Sequence, residues 1–279
     1  MNTLINILGV VILLSLSACS MHDRRAHFSS SVYEYLYPDQ EGRIDSPGIP
    51  TLSLPLRVGI AFVPDNTRTN YRFSEKNRMD LMNEVARHFK QHDYVKEIEL
   101  IPSAYLTPKG GFTNLDQIGT MYHLDVIALL SYDQTQFTAE GVASFAYWTI
   151  IGAYIVPGEK NDTHTMVDAA VYDIRSRKML FRAPGVSHIK GLATPVNLQE
   201  ALTKNSIAGF QQSSSNLIEN LDIQLELFKE RAKAAPEEYK IVRKAGYTGG
   251  GFIDGWYLLF FLLMGCLGLY ATRRKTDES

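Results

Sequence analysis

A single α/β sandwich built on a mixed sheet is the fold the sequence predicts, and three observations predict it. Segments of strand character alternate with segments of helical periodicity in residues 55–235, and a hairpin and a long helix follow. The same stretch contains no cysteine, so neither a disulfide nor a thiolate-bound metal can substitute for a buried core. Apolar residues make up 45% and charged residues 21% of the 279 positions, which suits a globular core.

The elements follow in order. Residues 19–54 read as a tether and irregular entry segment, with Asp, Arg, Ser, Gly and Pro among scattered aromatics. Residues 56–63 are a buried strand ended by Pro64-Asp65-Asn66. Ser74 caps the next helix, where Met82, Val85, Ala86 and Phe89 recur at helical spacing. Val95 to Ile101 reads as a second strand. Asn114 is placed to cap a short helix carrying Leu115, Ile118 and Tyr122 on one face, and Val126 to Tyr132 is a third, apolar strand. Residues 142–156 carry both signatures: β-branched and aromatic content suggests strand, while the spacing of Ala143, Tyr147, Ile150 and Tyr154 suggests helix. The reading leans to a helix ended by Pro157-Gly158. Met166–Asp173 and Lys178–Arg182 form a hairpin around Arg175-Ser176. Asn197-Leu198-Gln199-Glu200 is a capping box opening a helix to about Lys233, with Leu217, Leu221, Leu225 and Phe228 as its stripe. Pro236 ends it.

Both ends of the chain are hydrophobic. Residues 1–18 have the form of a secretory signal, with an apolar run from Leu4 to Leu16 too short to span a bilayer. Leu16-Ser17-Ala18-Cys19 is a lipobox: cleavage falls between Ala18 and Cys19, and the Cys19 thiol takes the diacylglycerol. The n-region lacks Lys and Arg, leaving the α-amino group as its positive charge. Ser20 stands where an aspartate would retain the protein at the inner membrane, so export to the outer membrane is expected. Several acyl chains anchor a protein stably, since each buried CH₂ contributes about 0.8 kcal/mol.

The C-terminal end reads as a linker over 236–252, a transmembrane helix over 253–272 and a basic cytoplasmic tail over 273–279. About twenty residues match a bilayer's hydrocarbon thickness. Trp256 and Tyr257 mark one interface and Tyr270 the other. Arg273, Arg274 and Lys275 act as the stop-transfer cluster. The signal peptide places everything between the two hydrophobic ends outside the cytoplasm. Gly249, Gly250 and Gly251 precede the span, and glycines cost a helix about 1 kcal/mol each. Two readings remain open on physics alone: a flexible linker, or a boundary unwound for intramembrane proteolysis.

A glycine pair, an aromatic-rich span and a terminal basic cluster resemble the C-terminal sorting signals processed by rhombosortase, a rhomboid-type intramembrane serine protease. Together with the lipobox, this resembles the rhombotarget lipoprotein family. Further segments are similar to that family: Ser29 to Val32, Tyr35 to Pro38, Tyr147 to Tyr154, and Leu180 to Gly185. The resemblance implies a substrate of the sorting protease, processed at Gly249–Gly251. Three glycines instead of two, and Asp254 at the start of the span, leave the scissile bond open. The order of elements also resembles the periplasmic domain of the curli-secretion lipoprotein and the N-terminal domain of the Tol-system propeller protein, an analogy of fold only.

No residue pattern points to catalysis, a metal or a cofactor. His88 and His92 are four apart, but Phe89 stands where a zinc protease places glutamate, so they read as solvated helix-face residues. His123 beside Asp125 reads as a helix end meeting a strand. Lys109-Gly110-Gly111 lacks phosphate-loop spacing and reads as a turn. Asp125 and Asp173 read as backbone caps. Tyr147 to Tyr154 is read as core, with a docking surface as the alternative. The net charge is −2, and Arg273, Arg274 and Lys275 cancel against Asp254, Asp277 and Glu278 when the ends are removed. A near-neutral body argues against nucleic acid as a partner.

The expectation is a non-enzymatic cell-envelope lipoprotein, its precursor in the inner membrane and its mature form lipid-anchored at the outer membrane. Its expected partners are the membrane, the lipoprotein signal peptidase and export machinery, and a rhombosortase-type protease; the partner of its binding or assembly domain is unknown. The alternatives are a component of an outer-membrane assembly or secretion complex, similar to the curli-secretion lipoprotein, and an envelope hydrolase.

Overall fold

The computed structural model describes residues 24–38, 48–64, 74–140, 159–244 and 247. The chain divides into two units, and nearly all described residues belong to the first, Met1–Val242. In it, strands β1 (Arg24–Ser29), β3 (Leu56–Phe62), β4 (Val95–Ile101), β5 (Val126–Glu140), β6 (Glu159–Asp173) and β7 (Met179–Ala193) form one sheet. Four helices are described: α1 (Val32–Leu36), α2 (Glu75–Phe89), α3 (Gly111–Tyr122) and α4 (Leu198–Ala234). A second, two-stranded sheet joins β2 (Thr51–Leu54) to β8 (Lys240–Arg243).

The sheet is mixed, as expected. Its order is β4-β3-β5-β6-β7, parallel from β4 to β5 and antiparallel from β5 to β7. The chain moves outward from β3 to β4 and then back across β3 to β5. Right-handed crossovers in opposite directions put the connecting helices on opposite faces, and the two cores follow from that. Ile60, Phe62, Ala128, Leu130, Val167 and Ala169 pack with α2 and α4. Ala61, Ile127, Leu129, Ala170 and Tyr172 alternate to the other face and pack with α1 and α3.

Local rules placed most starts and stops. Ser74 Oγ accepts from Asn77 N–H at 3.2 Å, capping α2 as expected. His123 takes a left-handed conformation at the C-cap of α3, with φ of 54°. Several expectations need correction. The segment 19–54 is not simply a tether: β1 pairs antiparallel with the outer half of β5, and Val32, Tyr35 and Leu36 of α1 are buried. The part of β5 beyond Leu130 has outrun β3, so that edge is open for β1 to fill. Asn114 does not cap α3, because the turn at Lys109, with Gly111 at φ +62°, starts the helix earlier. Its buried side chain instead accepts from Thr107 N–H at 2.9 Å and from the Tyr35 hydroxyl at 2.8 Å. Asn197 does stand at the N-cap of α4, but its Oδ1 accepts from Thr194 rather than from the helix amides.

The hairpin is much longer than expected. β6 begins at Glu159 instead of Met166, and β7 runs to Ala193 instead of Arg182. Along this outer part α4 lies close on the strands through small residues. Ser206, Gly209, Ser213 and Ser214 are buried, and a β-carbon on Gly209 would lie 2.6 Å from Thr165 Oγ1. α4 also caps the outer edge of β7. Asn216 Oδ1 accepts from Val186 N–H at 3.0 Å, and Asn220 donates to the Pro184 carbonyl at 2.6 Å. A proline, which has no N–H to leave unpaired, suits this edge position.

Candidate functional site

The outer half of the β5–β6–β7 ribbon has two unlike faces. Side chains pointing towards α4 are polar and buried: Gln134, Gln136, Asn161, Thr163, Thr165 and Ser187. Most of their polar atoms pair with one another or with the helix, and Asn161 accepts from Asn205 of α4 at 2.6 Å while its own Nδ2 is left without a partner. Gln134 donates to Thr165 Oγ1 at 2.8 Å and accepts from the Ser206 hydroxyl at 2.6 Å. Gln136 donates to the Leu202 carbonyl at 2.9 Å, and Ser187 to the Gly209 carbonyl at 2.7 Å. Buried polar groups held by specific partners fix one register, because a slip would leave more of them unpaired.

The opposite face carries His27, Asp133, Asp162, His164 and His188. His27, Thr135, His164 and His188 are successive in-register neighbours across β1, β5, β6 and β7. His27 Nε2 lies 2.8 Å from Asp133 Oδ2. His164 and His188 stack with ring centroids 4.0 Å apart and planes 18° from parallel. Asp162, two residues before His164 on the same face, sets one carboxylate oxygen 2.5 Å from His188 Nε2 and 3.3 Å from His164 Nε2. Phe137 packs edge-on against His164, and Arg25 lies over the Phe137 ring. Closer to the core, Arg182 Nε contacts both oxygens of buried Asp168 at 2.8 Å. Burial pushes the Asp168 carboxyl up against the downward pull of that guanidinium.

Sequence reasoning singled out none of Asp162, His164 and His188. An Asp-x-His pattern on a strand puts both side chains on one face, and that was the available signal. The histidines weighed earlier have other roles. His88 Nε2 lies 2.8 Å from Asp222 of α4, and His92 stacks on Tyr94. Both are half-buried against neighbours rather than solvated. Burial lowers the His92 pKa, and nearby Lys229 lowers it further. Asp125 accepts from Arg57 N–H and Asp173 from Ser176 N–H, the capping roles expected of them. Lys109 and Gly110 lie in a turn. Ala18, Cys19, residues 142–156, Gly249, Gly250, Gly251, the span 253–272 and the cluster Arg273, Arg274, Lys275 lie outside the described residues.

No family model matches the chain, and no curated protein does. Among solved structures it is similar to the crystal structure of a neuraminyllactose-binding hemagglutinin homolog from Helicobacter pylori. That match has 9% identity and a TM-score of 0.36, covering 70% of this chain and 95% of that one. A likeness that distant carries no argument for this chain.

Proposed function

We propose that the protein is a cell-envelope lipoprotein, lipidated on Cys19 and trimmed near Gly249–Gly251 by a rhomboid-type protease. Its α/β domain, flanked in the precursor by the signal peptide and the transmembrane helix, serves in binding or assembly rather than catalysis. The observation that carries this reading is the coexistence of a lipobox at 16–19 and an apolar span at 253–272 on one chain. Ser20 directs the lipid anchor outward, while about twenty apolar residues hold the chain in the inner membrane. Cleavage at the glycines removes the conflict. Among the described residues no helix is long and apolar enough to cross a membrane.

The ribbon supports the binding role. It exposes Phe137, Val186 and Leu192 beside the histidines and carboxylates, a mixed surface of the kind protein interfaces use. The length of these strands also favours the second reading, a component of an outer-membrane assembly. Their charges argue that this part of the ribbon works in water: Lys160, Asp162 and Lys190 share a face that a membrane-crossing strand would present as apolar.

The test is the intact mass of protein recovered from fractionated membranes. The expected chain begins at acylated Cys19 and ends within or close to Gly249–Gly251. In Cys19→Ala, incorporation of labelled palmitate should disappear and precursor accumulate. A mature chain that retains Arg273 to Ser279 would overturn the sorting reading, and undiminished labelling of Cys19→Ala would overturn the lipobox.

A further inference from the structure

We propose that Asp162, His164 and His188 form a binding site for a divalent transition-metal cation of the zinc and copper class. The inference rests on the geometry of the ribbon and is independent of how the chain is anchored. His164 and His188 are direct cross-strand partners on β6 and β7, and Asp162 is the diagonal neighbour of His188 on the same face. The three potential ligand atoms lie within 4.8 Å of one another. Around a tetrahedral zinc, with bonds of about 2.0–2.1 Å, neighbouring ligand atoms stand roughly 3.3 Å apart. The separation of 3.3 Å between Asp162 Oδ1 and His164 Nε2 already matches that spacing. The 2.5 Å separation to His188 would widen by less than an ångström, through rotation of side chains that are half exposed.

Chemistry favours a cation at this point. One Asp162 carboxylate oxygen lies near the Nε2 atoms of both imidazoles, and it can accept from both only in the tautomers that carry Nε2–H. A metal takes the two nitrogen lone pairs and the carboxylate charge together. Two imidazoles with one carboxylate select zinc, copper or nickel over calcium and magnesium, which prefer all-oxygen shells. Three protein ligands leave a position open to water or to a group on a partner.

The scaffold holds the ligands ready. Thr163, Thr165 and Ser187, the residues adjoining the ligands in sequence, point the other way and are buried under α4. Thr165 is held by Gln134 and Ser187 by the Gly209 carbonyl, so the strands cannot twist freely beneath the site. Phe137 packs against the His164 ring and limits its rotation, while Lys190 stands opposite Asp162 in register. The side chains of Asp162, His164 and His188 are 35%, 51% and 42% exposed, so a cation reaches them directly from solvent.

The experiment uses the full-length, tag-free chain in mild detergent, stripped with chelator and titrated with Zn²⁺ against a chromophoric competitor. Co²⁺ titration read by visible absorption reports the coordination. The expected result is one Zn²⁺ per chain. His164→Ala and His188→Ala should each weaken it by at least about 100-fold, beyond the roughly 10–100-fold that losing an outer-shell partner costs. His88→Ala should bind as the wild type does, and Mg²⁺ should not compete. Circular dichroism checks each variant's fold, and His188→Asn, which keeps a polar side chain, serves if the alanine variant misfolds. Stoichiometric Zn²⁺ binding that survives in the doubly substituted His164→Ala, His188→Ala chain would overturn the proposal. Wild-type binding no tighter than that of the double variant would overturn it equally.

Discussion

Gly185 of β7 passes so close under Ser213 of α4 that a β-carbon on it would lie 2.0 Å from the Ser213 carbonyl oxygen. The obstacle is helix backbone, with Leu217 N only 2.5 Å away, so no side-chain rotation can make room. Gly185→Ala must therefore lift α4 off the strand that it caps. Overpacking usually costs about 1–3 kcal/mol, and contact with backbone puts this case at the upper end. The midpoint of denaturant unfolding should fall accordingly. A midpoint equal to the wild type's would mean that α4 is not seated on Gly185.

Gln134 is fully buried and joins β5 to Thr165 of β6 and Ser206 of α4. Gln134→Leu keeps similar bulk but leaves two hydroxyls without their partner. Stranding buried polar groups costs roughly 1–3 kcal/mol each, so a loss of about 3 kcal/mol is expected. Adding Ser206→Ala removes one stranded group and should recover about 1 kcal/mol in a double-mutant cycle. Strict additivity of the two changes would show that the network is not coupled.

Alkaline pH should destabilise the domain through two tyrosines. Burial raises Tyr35 well above its usual value and pushes Tyr172 up to about 12. A group whose folded pKa is raised contributes stability that is fully present below its unfolded value, near 10. That contribution is lost as pH rises towards the folded value. The melting temperature should fall between about pH 10 and 12, and less steeply in Tyr35→Phe with Tyr172→Phe. At neutral pH Tyr35→Phe should cost about 1 kcal/mol, the value of its hydrogen bond to Asn114. An equally steep alkaline fall in the double variant would assign the effect elsewhere.

Replacing Gly249, Gly250 and Gly251 with leucine should stiffen the junction before the apolar span, since each glycine lowers helix stability by about 1 kcal/mol. The uncut chain should then collect in the inner-membrane fraction, while wild type moves outward on its lipid. Equal distribution and equal mass of the two proteins would mean that the glycines are a linker only.

The sequence by itself determined the parts whose evidence is local. Ile60, Phe62, Leu129 and Leu130 announce strands by apolar content, and Met82 and Val85, like Leu217 and Leu221, announce helices by spacing. Ser74 and Pro236 mark ends because capping and the missing proline amide act over one turn. The alternation of those elements was enough to read a mixed α/β sheet. The outer ribbon was not legible, because its buried positions are Gln, Asn and Thr and its outward ones His, Asp and Lys. Polar residues on both faces leave no hydrophobic period to find.

Only the tertiary structure decided which residues meet. The hairpin pairs Tyr172 with Met179 but Val171 with Phe181, a shift that leaves Leu180 as an extra residue on β7. Without that bulge His164 would stand opposite Ser187, and His188 would turn to the face covered by α4. One inserted residue reverses every side chain beyond it, so the Asp162–His164–His188 cluster depends on a register set elsewhere. That register is held by contacts far apart in sequence, such as Gln134 with Ser206 and Gly185 with Ser213, which no local pattern encodes.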